Sequence, residues 1–331
     1  MAGVYIISEI GRLSKCNKAL AFEDKSGNRT KIFADSIDLL VLNGHVSITG
    51  AALTLLAINQ IHVYFLEKGA IPNISLDFGN GKNGFLRQKQ YAMQGDAKKS
   101  LDIARTIVFG KIRNQISFLH RAKRSLEKRE QVATSVTRLK RLLKKAEKCE
   151  DKSALRGVEG LATKEYFDLF DFNIIPEWAV FGKRSKHPPQ TNVNAVMSYL
   201  YAVLTVRVQN ALEAYGLDTM CSNLHEMTYG KTSLAYDMVE EFRTPIADAV
   251  CCALFNHETL KEKDFEQRDG GIFMTKDGCS KVVAAFENKM KSSVKYDGSE
   301  MTYLEIIFNQ AKSYRDFVSG KTESYLPFAM K

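Results

Sequence analysis

The sequence predicts an α+β protein in which a small N-terminal β-rich domain precedes a larger all-α domain. Three observations predict it. From Val4 to Leu76 the chain runs through short stretches of β-branched and aromatic residues separated by turn signals; a glycine-rich connection follows; and beyond Leu86 apolar residues recur at helical spacing. The boundaries read from these shifts are 1–78 for the β-rich domain, 79–85 for a linker and 86–331 for the helical domain. A chain of 331 residues is long enough for two domains.

In the first domain the strand-like runs are VYII, ALAF, KIF, LLVL, VSI, IHVYFL and ISL, with DKSGN at Asp24–Asn28 and Asn43-Gly44 as turn signals between them. One helix, Ala51–Ile58, interrupts the strands. In the linker, Gly79, Gly81 and Gly84 spell G-x-G-x-x-G, but the acidic residues at the expected distance, Asp96 and Asp102, lie in helical sequence rather than at a strand end. An interdomain turn is therefore expected, not a dinucleotide fingerprint. The helical patterns then run Leu86–Met93, Ser100–His120, Gln131–Lys148, Lys152–Phe170, Asn194–Tyr215, Ser233–Phe255, Cys279–Ser293 and Tyr303–Val318.

Composition narrows the class. With 45% apolar and 26% charged residues the chain is that of a globular protein, not a disordered one. Its six cysteines form no C-x-x-C pair and no zinc spacing with the histidines, which suits a reducing compartment. The opening MAGVYIISEIGRL lacks a basic start and a cleavage site, and the most apolar later run, Ala195–Val206, meets Arg207 too early to cross a bilayer, so a cytoplasmic protein with no membrane association is expected. The net charge of +9 resides in Leu101–Glu150, which holds 14 Lys and Arg against 5 Asp and Glu. There RAKRSLEKRE and RLKRLLKKAEK set basic residues around a stripe of Leu126, Val132, Val136, Leu139 and Leu142, a pattern equally suited to a solvated helix face and to a polyanion such as DNA. The candidate nucleic-acid contacts are Arg121, Lys123 and Arg124 in this segment and Lys183, Arg184, Lys231 and Arg243 beyond it.

Two segments carry residues suited to chemistry. In LRGVEGLATKEYF, Glu159 stands between Gly157 and Gly160, which would let a neighbouring backbone or a phosphate come close to its carboxylate. In CSNLHEMTYGKTSLAYDMVEEFRTP, a helix from Ser233 puts Asp237, Glu240 and Glu241 at i, i+3 and i+4, where they can share a face. That much like charge calls for a counterion: Arg243, Lys231 or a metal. A fold back through Gly230 would bring His225 to the same face, and an oxygen-rich set with one nitrogen suits Mn2+ or Mg2+. Combined with the basic helices, this favours metal-assisted phosphodiester chemistry.

At these residues the sequence resembles the large catalytic subunit of the CRISPR adaptation complex, the CRISPR-associated family of spacer-inserting integrases and endonucleases. VYIISEIGRLSK and ALAFEDKSGNRTKI resemble its opening hairpins, VSITGAALTLLAINQIHVYFLEKGA its strand, helix and next strand, LRGVEGLATKEYF and NLHEMTYGKTSLAYDMVEEFRTPIAD its two catalytic blocks, and GGIFMTKDGCSKVVAAFENKM and YLPFAM its closing segments. The resemblance implies that Glu159, His225 and Glu240 hold a divalent metal with Asp237 as a further acidic catalytic residue. It also implies a homodimer through the β-rich domain, a small ferredoxin-like CRISPR-associated partner, and transesterification in which a DNA 3′-hydroxyl attacks a repeat boundary. Asn192 and Asn194 match a segment preceding a long helix, without an assignable role. A stand-alone structure-specific endonuclease and a non-enzymatic DNA scaffold are the competing readings.

Overall fold

A computed structural model describes residues 2–66, 74–76, 78, 83–121, 126–186 and 188–330, and all side chains of these except those at 2, 8, 9, 74, 121, 126 and 127. The chain divides into two compact units, Met1–Gly81 and Lys82–Lys331, the first built on a sheet and the second mainly on helices, so the fold class is α+β. Most of the glycine-rich connection, including Gly79 and Gly81, lies outside the described residues. Among the described residues no helix is long and apolar enough to cross a membrane.

The first unit is a six-stranded mixed sheet of β1 (Ala2–Cys16), β2 (Ala19–Asp24), β3 (Arg29–Phe33), β4 (Ile37–Ile48), β5 (His62–Leu66) and β6 (Ile74–Leu76), in the order β3-β2-β1-β4-β5-β6. β4 runs parallel to both β1 and β5, and the other pairs are antiparallel. DKSGN is a true hairpin turn: Asp24 Oδ1 accepts from the Ser26 and Asn28 amides at 2.8 and 3.0 Å, and Gly27 takes φ +81°. Asn43-Gly44 is not a turn. LLVL and VSI are one strand, and Gly44, at φ +124°, lies where the β1 register slips between Ile7 and Ile10, so the glycine absorbs a bulge rather than a reversal. The parallel step from β4 to β5 needs a crossover, supplied by α1 (Gly50–Ile58), whose first turn is capped by Thr49 accepting from the Ala52 amide. Leu13, Leu20, Leu40, Leu42, Leu56 and Val63 form the centre of this unit's core.

The second unit contains α2 (Gly84–Gly95), α3 (Ala97–Arg121), α4 (Leu126–Glu147), α5 (Lys152–Phe167), α6 (Asn192–Ala214), α7 (Ser233–Phe242), α8 (Ala249–Asn256), α9 (Lys276–Lys291) and α10 (Tyr303–Ser319). α6 is buried along nearly its whole length, including the polar Asn194, Thr205, Arg207, Gln209 and Asn210: it is the central helix of a bundle, packed by α7, α8, α9 and α10. The stretch expected as one helix, Ser233–Phe255, is helical throughout but changes pitch: α7 and α8 are joined by a π-helical turn, Arg243–Asp248. Pro245 lies in that turn, where its missing N–H is tolerated because the regular ladder is already interrupted. Two features go beyond an all-helical reading of this unit. Short hairpins, β7 (Phe265–Arg268) with β8 (Gly271–Met274) and β9 (Ser293–Tyr296) with β10 (Ser299–Thr302), flank α9. Strands of four residues offer too few alternations to stand out from turn sequence.

Candidate active site

α3 packs against α5 and α7, and all three helices contribute charged groups to a single cleft of about 660 Å³. Lys111 comes from α3, Glu159 from α5 and Glu240 from α7. α5 starts where Asp151 caps the Ala154 amide at 2.8 Å, which places Glu159 in mid-helix with its Oε1 accepting from Thr163 Oγ1, one turn on, at 2.8 Å. The flanking glycines do not admit a neighbouring backbone. A Cβ at Gly157 or Gly160 would meet nothing within 4 Å, so this face is open, and Gly160 lines the cleft.

The three carboxylates of α7 do not share a task. Glu240 enters the cleft, where its side chain is 3% exposed. Asp237, one turn earlier and fully buried, accepts from the Asn223, Leu224 and His225 amides at 2.6, 2.9 and 2.9 Å, and its Oδ1 lies 2.7 Å from His225 Nδ1. These hydrogen bonds to one carboxylate fold the segment before α7 back onto the helix. They leave His225 Nε2 facing the cleft, 4.0 Å from Glu240 Oε1. Glu241 points away from the other two, accepting from Tyr325 Oη, the Phe328 amide and Gln310 Nε2 at 2.5, 2.8 and 3.0 Å. Burial pushes its carboxyl up to about 7. Glu241 therefore anchors the closing YLPFAM segment. Asn114, one turn beyond Lys111, anchors it too by donating to the Glu241 and Phe328 carbonyls at 2.8 and 2.9 Å and accepting from the Met330 amide at 2.7 Å.

The counterion is Lys111, which the sequence reading missed. Its ammonium contacts Glu159 Oε1 and lies 2.8 Å from Glu240 Oε2, with only 4% of the residue exposed. Arg243 adds a second cation, 2.8 Å from Glu240 Oε1, whereas Lys231 is exposed and does not line the cleft. Burial opposes ionisation of Glu240, but Arg243 and then Lys111 outweigh it and hold the carboxyl at about 2. Burial likewise opposes a charge on Lys111, and Glu240 and Glu159 reverse this to leave its pKa raised. At His225 burial is overcome by the Asp237 hydrogen bond and by Glu240, so its pKa also rises. Lys111 had a legible signal: it stands in phase with Ala104, Ile107, Val108, Asn114 and Gln115, all buried, so a charge falls inside the buried stripe of α3.

Further cations line the same cleft. Lys183, Arg184, Lys186 and Arg243 line the cleft with Tyr201, whose ring carries the Arg184 and Arg243 guanidiniums at 5.4 and 4.9 Å. Tyr201 is held by Asp248 Oδ1 at 2.8 Å, and Tyr166 binds the other oxygen at the same distance. Burial, reinforced by Arg243 and Arg184, lowers the Lys186 pKa. The loop bearing Lys183 and Arg184 is organised by Asn194. Fully buried, it accepts from the Ser185 amide and Arg184 Nη1, both at 3.0 Å, and donates to the Phe181 and Lys183 carbonyls at 3.0 and 2.9 Å. That gives Asn194 the role the sequence left open. The side chain of Arg121, and Lys123 and Arg124 entirely, lie outside the described residues, whereas Arg138, Lys140, Arg141, Lys144, Lys145 and Lys148 of the basic segment are exposed.

The donor set can be tested against a divalent ion. Among the described residues no three acidic, histidine or cysteine side chains stand ready around one ion, and the Lys111 ammonium contacts both glutamates. The chemistry nevertheless fits. Glu240 Oε2 is buried against the Lys111 ammonium, a cation where a metal ion would sit, and His225 has Nδ1 engaged by a carboxylate and Nε2 turned to the cleft, the arrangement typical of a metal-binding imidazole.

The sequence model of the CRISPR associated protein Cas1 family matches residues 4–288. The CRISPR-associated endonuclease Cas1 3 of Thermus thermophilus is 30% identical over 332 residues, covering 99% of this chain and 97% of its own. Among solved structures, a Cas1 protein from Thermotoga maritima superposes with a TM-score of 0.85 at 23% identity, covering 99% of this chain and 100% of its own. A casposase bound to integration product superposes with 0.86 at 21%, covering 98% and 93%. With a family match across most of its length and a relative of 30% identity along nearly all of it, the chain belongs to the CRISPR-associated Cas1 family.

Proposed function

We propose that the protein is a divalent-metal-dependent DNA integrase and endonuclease of CRISPR adaptation, inserting short DNA fragments at repeat boundaries. The observation that carries this is the meeting of Glu159, Glu240 and His225 in one cleft that Lys183, Arg184, Lys186 and Arg243 also line. Mn2+ or Mg2+ held by these three residues would polarise a phosphoryl oxygen and stabilise the charge that builds on it. Asp237 would hold the proton on His225 Nδ1, keeping Nε2 as the donor atom. Arg184, Lys186 and Arg243 would face the strand's phosphates, while Asn194 and Tyr201 keep two of these cations aimed at the cleft. A DNA 3′-hydroxyl attacking phosphorus gives strand transfer, and water in its place gives hydrolysis, so one site serves both and substrate placement decides. The exposed basic face of α4 would extend the DNA path, with Lys231 at its margin.

The reading includes a homodimer through the β-rich unit and a small ferredoxin-like CRISPR-associated partner, both implied by the family resemblance. The test uses a labelled fragment with a free 3′-hydroxyl, repeat DNA and Mn2+. Strand-transfer products are expected, and His225→Ala, Glu159→Ala and Glu240→Ala should each abolish transfer and hydrolysis together, with no additive loss in the doubles. Cleavage without transfer would leave a stand-alone endonuclease. A folded His225→Ala protein with near-normal Mn2+-dependent turnover would overturn the site.

A further inference from the structure

We infer that Lys111 is a tethered counter-cation that competes with the divalent metal for the same two carboxylates. The inference rests on the metal reading above and adds a residue that this reading does not use. Its ammonium bridges Glu159 of α5 and Glu240 of α7 from a third helix, and its side chain is 5% exposed, so solvent does not screen the contact. An ion held by Glu159, Glu240 and His225 has to approach the same oxygens. A dication and an ammonium a few ångströms apart in a poorly screened cleft repel strongly. Metal entry therefore requires Lys111 to leave the gap between the carboxylates.

This exchange has a purpose in the fold. Without Lys111, Glu240 would keep Arg243 and the more distant His225, and Glu159 would face it as a like charge with no cation between them. The ammonium lets α3, α5 and α7 close around the site before any metal arrives. The cost is metal affinity, since part of the binding free energy is spent on displacing the amine.

The test is the affinity of the full-length protein for MnCl2 alone, measured by calorimetry or by the Mn2+ electron paramagnetic resonance signal, in wild type and in Lys111→Met, which keeps the apolar stem and removes the charge. The expected result is tighter Mn2+ binding in Lys111→Met by about tenfold or more, together with a lower melting temperature in chelator that saturating Mn2+ restores. A folded Lys111→Met protein that binds Mn2+ no more tightly than a wild type that does bind it overturns this inference and leaves the metal site standing. If neither protein binds Mn2+, both readings fall. Should Lys111→Met fail to fold without metal, it is purified in MnCl2 and then treated with chelator. Unfolding on chelation in the variant but not in wild type supports the competition, and failure to fold at any Mn2+ concentration overturns it.

Discussion

Asp237 offers the most demanding test, because its position changes what its removal should do. Its carboxylate is fully buried and satisfies three backbone amides and one imidazole nitrogen at 2.6–2.9 Å. Asp237→Ala would leave the Asn223, Leu224 and His225 amides without their acceptor. With about 1–3 kcal/mol lost for each buried donor left unpaired, and some relaxation of the segment, the total comes to about 3–6 kcal/mol. That is a large share of the ~5–15 kcal/mol that holds a typical domain together. His225→Ala is the contrast: its side chain is 40% exposed, and Asp237 keeps its three amides, so stability should fall by less than about 1.5 kcal/mol while activity is lost. Urea unfolding of the two variants separates the roles, with Mn2+-dependent cleavage measured on the same preparations. The expectation is a destabilised Asp237→Ala protein with at least about tenfold weaker activity in its folded fraction, beside a stable, inactive His225→Ala. An Asp237→Ala variant within about 1 kcal/mol of wild type would refute the reasoning, because these hydrogen bonds would then not be what folds this segment.

Three further outcomes follow from the geometry. Burial raises Asp248 from 3.8 to about 6, so its stabilising contribution is complete below pH ~4 and is lost as pH rises through 6, a change of about 3 kcal/mol. Asp248→Asn removes this titration, and its stability relative to wild type should improve between pH 4 and pH 7 in urea melts; a difference independent of pH counts against it. Asn194→Ala should free the 181–185 loop, so trypsin cleavage after Lys183 or Arg184 should accelerate while distant sites are cut at the native rate, and an unchanged digestion pattern would remove Asn194 as the clamp. Replacing the exposed Arg138, Lys140, Arg141, Lys144, Lys145 and Lys148 by Gln should lower DNA affinity and flatten its salt dependence by up to about 0.9 for each phosphate that is no longer neutralised. An identical salt slope would make this face a solvated surface.

The amino-acid sequence by itself determined the alternation of a strand-rich unit and a helical one, because hydrophobic patterning is a local property: short apolar runs between turn signals in the first unit, a spacing near 3.6 in α3 and α4. It also singled out Glu159, His225, Asp237 and Glu240, since a histidine and clustered carboxylates in otherwise amphipathic segments are conspicuous, and the family resemblance assigned their roles. It misread Gly44, because a glycine that relieves a bulge and one that makes a turn are spelled alike and only the partner strand distinguishes them. The separation of Glu240 from Glu241 was decided by tertiary packing. Both neighbours are buried, but one meets Lys111 and Arg243, and the other meets Tyr325 and the closing segment some 80 residues further along the chain. Lys111 itself is 48 residues from Glu159 and 129 from Glu240, so no local spacing could pair them. Charge pairing acts through space, and only the packing of α3 against α5 and α7 brings that ammonium to the carboxylates.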